Sequence, residues 1–578
     1  MKNINKYLLF FNFTTMSKIR LFILVSLLFC MSNMYVQGQI QPIFFSDSTR
    51  WVDSVMASLS PEQRIAQLFM VTAYSNKGSV HQKEIINLIE NYNIGGLMFL
   101  QGGPVRQAKL TNYYQQKTIT PLMIAIDAEW GVSMRLDSSW RLPWQMTLGA
   151  IRDTNLIYQM GREVARQCKL LGVHINFAPV VDVNSNPQNP IINNRSFGEN
   201  PDKVASCGIA YMQGMQDNNI LACAKHFPGH GDTDSDSHKT LPVVDHLRYR
   251  LDKVELVPFK KLIDHGLGSV MIAHLNIPAL DSTQELPTSL SPKVVDGLLK
   301  TDLGFRGLAI TDALNMKGVS NFYDPGLLDL KALLAGNDVL LCSEDVPKAI
   351  NEIKKAINNN QISQEEIDAR CRKILMAKQW MGLNNYHPSD LTKVQQEITK
   401  KETILLDKEL VKYSLTLLQN YEDILPLKRL DTLRIASVSI GDSAKAFQKM
   451  LSNYASIDCF TIQEDASIAN QAVLLDKLSR YNLVMISVHK SNMNPWKSYK
   501  ISQSTDVLLQ SIALQNKVIL SIFANPYSIN SLLFTNNFDA FILSYQNSIM
   551  AQQQTAQAIF GGIGLFGSLP VSTKHFDI

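Results

Sequence analysis

The stretch most informative about chemistry runs from residue 225 to residue 238 and reads KHFPGHGDTDSDSH. Its content of Gly, Asp and Ser predicts a loop, and such a density of titratable side chains is unusual in a purely structural connection. Within it, Asp236 and His238 are two residues apart. In an extended loop, this spacing lets the carboxylate accept a hydrogen bond from one imidazole nitrogen while the other nitrogen faces a substrate. Because histidine titrates near neutral pH, the pair is suited to donate a proton to a leaving oxygen and later to take one from water.

Two other interpretations of this loop stay open. In the first, His226, His230 and His238 bind a divalent metal with nearby aspartates. However, His-x-x-x-His on a loop does not bring both rings to one helical face, and no matching ligand set recurs downstream. In the second, the polar side chains hydrogen-bond within their own loop, which we expect for His230, Asp232 and Thr233. We therefore predict no metal site.

A second candidate for chemistry is Asp312, which ends the apolar run GLAITD at residues 307–312. A carboxylate at the end of a buried strand can act as a nucleophile; in sugar cleavage with retained stereochemistry, for example, one carboxylate attacks the anomeric carbon and forms a glycosyl ester. A second group on the other side of the sugar then handles the proton. The alternative role is a helix N-cap, because aspartate is a preferred N-cap residue.

These residues need a scaffold that brings strand ends together. Between residues 60 and 345, eight short apolar runs alternate with longer amphipathic stretches typical of helices. The runs are Gln67–Ala73, Ile94–Leu100, Leu122–Asp127, Ile175–Val183, Ile220–His226, Ser269–Asn276, Gly307–Asp312 and Asp338–Cys342. Continuous apolar runs suit parallel strands covered on both faces. Eight βα units predict an α/β fold of the TIM-type (β/α)8 barrel class, with the active site at the carboxyl ends of the strands.

Titratable residues lie at or just beyond most of these run ends. They are Asp127, Asp182, Lys225 with His226, His274, Asp312 and Glu344. Polar residues also mark strand ends in proteins without any site there, so each position alone carries little weight. Together, several carboxylates and histidines at several ends indicate a site at the mouth of the barrel.

The rest of the chain predicts a smaller second domain. We expect a signal peptide at residues 1–38, the barrel domain at 39–385, a polar helical linker at 386–425 and an open α/β domain at 426–578. The last part has five apolar runs: Ile435–Ile440, Cys459–Ile462, Leu483–Val488, Val518–Phe523 and Ala540–Ser544. It lacks a glycine-rich turn after its first strand, which argues against a nucleotide site.

The formal net charge of +4 comes from the N-terminal segment. Residues 1–38 hold four basic residues and no acidic ones, and the remainder has 51 of each. A neutral chain gives no electrostatic reason to expect nucleic acid as a partner. Basic residues before the apolar run Leu21–Cys30 predict a cleaved signal, hence export to the periplasm or the exterior, without a lasting membrane span.

The motifs together resemble glycoside hydrolase family 3, specifically its β-N-acetylglucosaminidase branch. The match is KHFPGHGDT at residues 225–233 followed by DSH at 236–238, with TDALNM at 311–316. The resemblance implies that Asp312 is the nucleophile and that Asp236 with His238 is the acid/base. It also implies sugar contacts from a further set of residues, which are Asp127, Arg135, Arg195, Lys225, His226 and His274. No cofactor is implied.

One segment departs from the family pattern: the common EGGR reads Glu129-Trp130-Gly131-Val132 here, so Trp130 is expected to reshape one wall of the site. The predicted function is release of terminal β-linked N-acetylglucosamine from amino-sugar oligomers such as peptidoglycan fragments. The alternatives are a β-glucosidase or a phosphorylase of the same family, and a carbohydrate-binding protein without activity. The β-glucosidase branch usually takes its acid/base glutamate from the second domain, and the retained Asp312, Asp236 and His238 argue against an inactive barrel.

Overall fold

The structure is a computed structural model that describes residues 41–578, except residues 47, 236–239, 442–444, 492–493 and 495–498. The predicted signal peptide and the predicted pair Asp236 and His238 therefore lie outside the described residues. Residues 42–578 pack as one unit. In the described part of the chain, no helix combines the length and the apolar character needed to cross a membrane.

The first sheet has eight strands, and each overlaps one of the eight predicted runs. They are β1 (Phe69–Tyr74), β2 (Gly96–Gln101), β3 (Met123–Ile126), β4 (Ile175–Asn176), β5 (Leu221–Phe227), β6 (Ser269–Ile272), β7 (Leu308–Thr311) and β8 (Leu340–Leu341). Their order is β7-β6-β5-β4-β3-β2-β1-β8, with every pair parallel. A parallel bridge between Ile310 and Val339 joins β7 to the segment that leads into β8. The sheet is thus the predicted TIM-type barrel.

Burial explains why these runs are apolar throughout. All residues of β3, β5, β6 and β7 are buried, as expected for strands that face the barrel interior on one side and helices on the other. The helices of this domain span Arg50–Ser58, Pro61–Ala66, Ser79–Tyr92, Pro104–Gln115, Gln145–Gly149, Thr154–Leu170, Pro201–Gln216, Arg248–Lys253, Leu256–Asp264, Lys317–Ser320, Leu327–Leu334, Val346–Asn358 and Gln364–Trp380, with a π-helix at Lys293–Asp302. Short 3-10 helices lie at Val132–Met134, Asn193–Arg195, Thr288–Leu290 and Leu383–Asn385.

The second sheet has six strands rather than the five predicted. They are β9 (Thr416–Asn420), β10 (Ile435–Gly441), β11 (Ile457–Ile462), β12 (Leu483–His489), β13 (Lys517–Phe523) and β14 (Ala540–Leu543). Their order is β11-β10-β12-β13-β14-β9. All neighbours are parallel except β14 and β9. Helices span Leu391–Glu397, Lys401–Ser414, Lys445–Leu451, Ile468–Leu478, Gln503–Ala513 and Ile549–Ile559, and 3-10 helices lie at Tyr421–Asp423, Leu430–Thr432 and Pro526–Ser531.

Strand β9 lies inside the segment 386–425, which the sequence predicted to be a linker. It follows the helix Lys401–Ser414 after one residue, so no turn signal separates the two elements. As an edge strand it is only partly buried, which removes the continuous apolar pattern that identifies the central strands. The second domain therefore begins earlier than the pattern indicated.

Candidate active site

A cavity of about 800 Å³ lies at the carboxyl ends of the barrel strands. Its wall includes six of the predicted residues, which are Asp127, Arg135, Arg195, Lys225, His226 and Asp312. Apolar side chains such as Met98, Met271 and Leu341 complete it. Among the described residues, those of the second domain do not line this cavity. The barrel topology thus brings together side chains that are far apart in the sequence.

Five charged side chains form a connected array at the cavity. Lys225 Nζ lies 2.8 Å from Asp127 Oδ1 and 2.9 Å from Glu129 Oε1. Arg195 pairs with Glu129 in a bidentate manner, with Nη2 to Oε1 at 2.8 Å and Nε to Oε2 at 3.0 Å. Arg135 donates to Asp127 Oδ2. Paired guanidinium and carboxylate groups give strong hydrogen bonds of fixed direction.

These groups keep one another ionised. Burial alone would raise the pKa of Asp127 and of Glu129, but the neighbouring cations outweigh it. Lys225 and Arg135 hold the pKa of Asp127 far below its usual range, and Arg195 with Lys225 lowers the pKa of Glu129 to about 2. Burial would lower the pKa of Lys225 and of Arg195, yet the same carboxylates raise both. The array is therefore charged at neutral pH, and its donors and acceptors are fixed before any sugar binds.

A second polar cluster adjoins the array. Asp182, fully buried, lies 2.7 Å from His226 Nδ1 through Oδ2, and its Oδ1 accepts from the backbone N–H of His226 at 3.1 Å and of His230 at 2.8 Å. His226 Nε2 lies 3.3 Å from Arg195 Nη2. A guanidinium only donates, so Nε2 accepts and the proton of the neutral ring is on Nδ1. Asp182 thereby fixes both the tautomer and the orientation of His226.

Asp312 follows β7 directly and is partly exposed at the cavity. Its backbone N–H donates to the Ile272 carbonyl at 2.8 Å, and its Oδ1 accepts from the Ala313 N–H at 2.8 Å. The next helix begins at Lys317 and has Met316 as its N-cap residue. The N-cap alternative for Asp312 is therefore wrong, and the carboxylate lies at the cavity as a candidate nucleophile.

His274, predicted as a sugar contact, is fully buried and is not part of the cavity wall. Its Nδ1 lies 2.7 Å from Ser289 Oγ, and its Nε2 lies 3.1 Å from the Ala313 carbonyl oxygen. Because a carbonyl only accepts, Nε2 carries the proton. In the structure His274 thus holds the backbone directly after Asp312 in place.

Three further residues differ from expectation. Glu129 was given no role in the sequence-based predictions, which singled out only the adjacent Trp130. In the structure it is fully buried and pairs with both Arg195 and Lys225. His230 was expected to shape its turn, and its Nδ1 does lie 2.7 Å from Thr233 Oγ1. His230 also lines the cavity, where burial lowers its pKa to about 4. Glu344, expected at the barrel mouth, is exposed and is not part of the cavity wall.

Trp130 was expected to reshape one wall of the site. It is buried and is not among the described residues that line the cavity. Its ring lies 6.2 Å from that of Trp144, and the Arg141 guanidinium lies 5.5 Å from the first ring and 5.1 Å from the second. Burial lowers the pKa of Arg141 to about 10. The tryptophan therefore packs behind the site with a cation against its face.

One group of side chains has the composition of a metal site, namely Asp232, His246 and Glu255, whose ligand atoms lie within 4.8 Å of one another. Arg250 already supplies positive charge there, with its guanidinium nitrogens 3.2 Å from Glu255 and 3.6 Å from Asp232. His246 Nε2 is 2.6 Å from Asp232 Oδ2. An arginine between two carboxylates repels a cation, so this group is better described as an ion-pair network.

The model of the glycosyl hydrolase family 3 N-terminal domain matches residues 60–377. That range covers more than half of the chain and all eight barrel strands. The chain belongs to glycoside hydrolase family 3. This family 3 protein is therefore a glycosidase, and its cavity at the strand ends is the candidate active site.

Similar proteins cover both domains of the family 3 chain. It is 30% identical to "Beta-hexosaminidase A" of Pseudoalteromonas piscicida over 85% of this chain and 91% of that protein. It is 25% identical to "Beta-N-acetylglucosaminidase/beta-glucosidase" of Cellulomonas fimi over 66% of this chain and 69% of that one. Among solved structures, the family 3 β-N-acetylglucosaminidase of Paenibacillus sp. strain FPU-7 superposes with a TM-score of 0.73. It is 29% identical, with 89% of this chain and 99% of that chain covered.

Proposed function

We propose that this family 3 glycosidase releases terminal β-linked N-acetylglucosamine with retention of configuration. The observation that carries the proposal is that Asp312 lines the same cavity as the charged array around Lys225. Such an array suits a sugar, because neutral hydroxyl groups are recognised by directional hydrogen bonds from fixed charged groups. The name of the relative from Pseudoalteromonas piscicida supports an amino sugar as substrate.

In the proposed first step, an Asp312 carboxylate oxygen attacks the anomeric carbon. The bond from that carbon to the leaving oxygen breaks, and His238 gives its proton to this oxygen. A glycosyl ester on Asp312 remains. Asp236 stabilises the imidazolium form of His238 before the transfer.

In the proposed second step, His238 takes a proton from water as the water oxygen attacks the anomeric carbon. The ester bond breaks, the sugar leaves with its original configuration, and Asp312 regains its carboxylate. Asp127, Arg195, Lys225 and His226 hold the sugar hydroxyls through both steps. These steps use no cofactor.

The proposed natural substrates are amino-sugar oligomers such as peptidoglycan fragments. They would be met after export, which the basic and apolar N-terminal segment supports. An exported enzyme meets oligomers outside the cytoplasm, where cell-wall fragments are released.

The deciding experiment measures rates of the purified protein on aryl β-N-acetylglucosaminide and aryl β-glucoside, each with and without phosphate. We expect fast release from the amino sugar, at least tenfold slower release from the glucoside, and no acceleration by phosphate. Preference for the glucoside would overturn the sugar assignment, a result that the double name of the Cellulomonas fimi relative makes worth excluding. Phosphate-dependent release with a sugar phosphate as product would instead indicate phosphorolysis.

A further inference from the structure

The segment that leads into Arg195 is held in an unusual backbone conformation. Asn193 has a φ of +36°, in the left-handed region, which asparagine adopts more readily than most residues but which is uncommon for any residue other than glycine. Within the barrel, the Asn193 N–H donates to Asn184 Oδ1 at 3.0 Å. Local backbone preference therefore does not by itself determine where Arg195 points.

The second domain contacts this segment through Asn525, which lies just beyond β13 and is 3% exposed. Its Nδ2 donates to Asn193 Oδ1 at 2.5 Å and to Asn194 Oδ1 at 2.6 Å. These are the two residues directly before Arg195. Asn525 Oδ1 accepts from the Tyr527 N–H at 2.9 Å, as the N-cap of the 3-10 helix Pro526–Ser531. This cap fixes the orientation of the amide, so its NH2 group faces the barrel.

Two tyrosines of the second domain contact the same segment. Tyr499 OH donates to the Pro187 carbonyl at 2.9 Å and lies 3.3 Å from Asn193 Nδ2. Tyr527 OH accepts from Asn184 Nδ2 at 2.9 Å and lies 3.2 Å from the Asn184 carbonyl oxygen. The segment is thus held from the second domain at several points on the N-terminal side of Arg195.

We propose that Asn525 is a positioning residue for Arg195, so that the catalytic unit comprises both domains although the cavity wall described above comes from one. Arg195 must meet Glu129 in bidentate geometry and His226 at the same time. A shift of the residues before it breaks this fit. The inference rests on the proposed function insofar as Arg195 is taken to contact the sugar.

The sharpest variant is Asn525→Asp. Aspartate is as good an N-cap as asparagine, so the contact with Tyr527 is kept, but a carboxylate oxygen replaces the NH2 group that faces two amide oxygens. The Asn193 amide is not free to reverse, because its Nδ2 lies 3.4 Å from the carbonyl oxygens of both Pro187 and Asn189. We expect kcat/KM to fall by about tenfold or more, since the buried hydrogen bond to Asn193 becomes a repulsion between two oxygen atoms.

The matched control is Gln546→Ala. Gln546 is also a buried amide of the second domain, and its Oε1 accepts from the Trp144 N–H at 3.2 Å and from Thr147 Oγ1 at 2.8 Å. The substitution removes two hydrogen bonds between the domains, and neither partner is a residue that hydrogen-bonds to Asn525 or a member of the charged array. We expect its kcat/KM to stay within about threefold of the unmodified protein, because the hydrogen bonds that are lost are to Trp144 and Thr147 rather than to the array or to Asn193 and Asn194.

A double-mutant cycle separates positioning from general stability. In an Arg195→Ala background, Asn525→Asp should change kcat/KM by less than about twofold, because the residue it positions is gone. An unchanged tenfold effect in that background, or equal losses in Asn525→Asp and Gln546→Ala, would overturn the inference. If Asn525→Asp does not fold, Tyr499→Phe replaces it, with an expected fall of about threefold that also disappears in the Arg195→Ala background.

The cycle is run on whichever aryl glycoside the unmodified protein cleaves. Cleavage of only the glucoside would therefore refute the proposed amino-sugar specificity. The inference about Asn525 would still be decided by whether the effect of Asn525→Asp disappears in the Arg195→Ala background. Conversely, fast cleavage of the amino sugar together with additive effects would refute the inference alone.

Discussion

In the barrel, strand carboxyl ends carry Asp127, Lys225 and Asp312, whereas in the second domain β12 ends at His489 and β13 is followed by Asn525. Both sheets consist mainly of parallel strands with continuous apolar runs. In a closed sheet the carboxyl ends converge on one cavity, so charges on different strands meet and fix one another. In an open sheet the ends lie in a row, and here the residue beyond β13, Asn525, contacts the barrel domain.

The two histidine environments show the same difference. His226 at the barrel mouth is held by Asp182 and faces Arg195. His489 is stacked on Phe523 with ring centroids 4.5 Å apart, and burial lowers its pKa to about 4. A histidine at a strand end is therefore not evidence of chemistry unless charged partners converge on it.

The largest effect is expected for Asp312→Asn. Loss of the proposed nucleophile should lower kcat on the order of 10⁴-fold or more, as seen when a member of a catalytic unit is removed. The midpoint of thermal unfolding should stay within about 2 °C, because the side chain is partly exposed. Turnover by purified variant is measured with an aryl glycoside. Rates like those of the unmodified protein would remove Asp312 from the mechanism.

For His238→Ala, the loss should depend on the leaving group. A general acid contributes roughly 10²–10⁴-fold, so substrates with poor leaving groups should slow by at least about 100-fold. A substrate with a very acidic leaving phenol needs little protonation and should lose much less in its first step. A series of aryl glycosides of graded leaving-group pKa measures this. Equal losses across the series would contradict the role of His238 as the acid.

Glu129→Gln tests whether the array is held together by its buried centre. The change leaves Arg195 and Lys225 with one carboxylate fewer in a buried site, which should cost about 3 kcal/mol of unfolding free energy and lower kcat/KM. The control is Glu62→Gln, whose 2.8 Å pair with Lys354 is half exposed. It should change stability by less than about 0.5 kcal/mol. Denaturant unfolding measures the unfolding free energy of both variants. Equal changes in the two would mean that Glu129 does not hold the array together.

Asp407 should make the stability of the folded protein depend on pH. Burial raises its pKa to about 7, although Trp140 Nε1 donates to it at 3.0 Å. A folded-state pKa above the unfolded value means that the folded state binds the extra proton, so stability falls as the pH rises from about 4 to about 7. Asp407→Asn should remove this fall and exceed the unmodified protein in stability by about 1 kcal/mol or more at pH 8. The midpoint of thermal unfolding of both proteins is measured at pH 5 and at pH 8. The same change in midpoint between the two pH values for both proteins would refute the prediction.

The smallest effect is expected for His489→Phe. The new ring keeps the stack on Phe523 and loses the 3.0 Å contact between Nδ1 and Asn547 Oδ1. We expect kcat/KM within about twofold and a stability change below about 1 kcal/mol. A large loss of activity at neutral pH would show that the second domain takes part in the chemistry directly.

The barrel could be predicted because each of its strands overlaps an unbroken apolar run. The positions of Asp127, Lys225 and Asp312 at the cavity could be predicted because these residues lie at the ends of such runs. The sequence pattern missed Glu129, whose partners Arg195 and Lys225 are distant in the chain. Side-chain direction was also out of reach. His274 ends a run as predicted, yet it turns toward Ser289 and the backbone after Asp312. Long-range pairing and side-chain direction depend on the folded backbone, which a pattern of residue types does not specify.

The closure of the barrel lies beside Asp312, the proposed nucleophile. Where β7 meets the segment before β8, side chains supplement the ladder: Asp338 Oδ2 accepts from the Ala309 N–H at 2.8 Å, and the Leu341 N–H donates to Thr311 Oγ1 at 3.0 Å. Lys373 secures Asp338 from a helix outside, at 2.9 Å. The outer helix layer is thereby linked to the strand that precedes Asp312. Lys373 is not part of the cavity wall, so a substitution there would reach the strand that precedes Asp312 through Asp338.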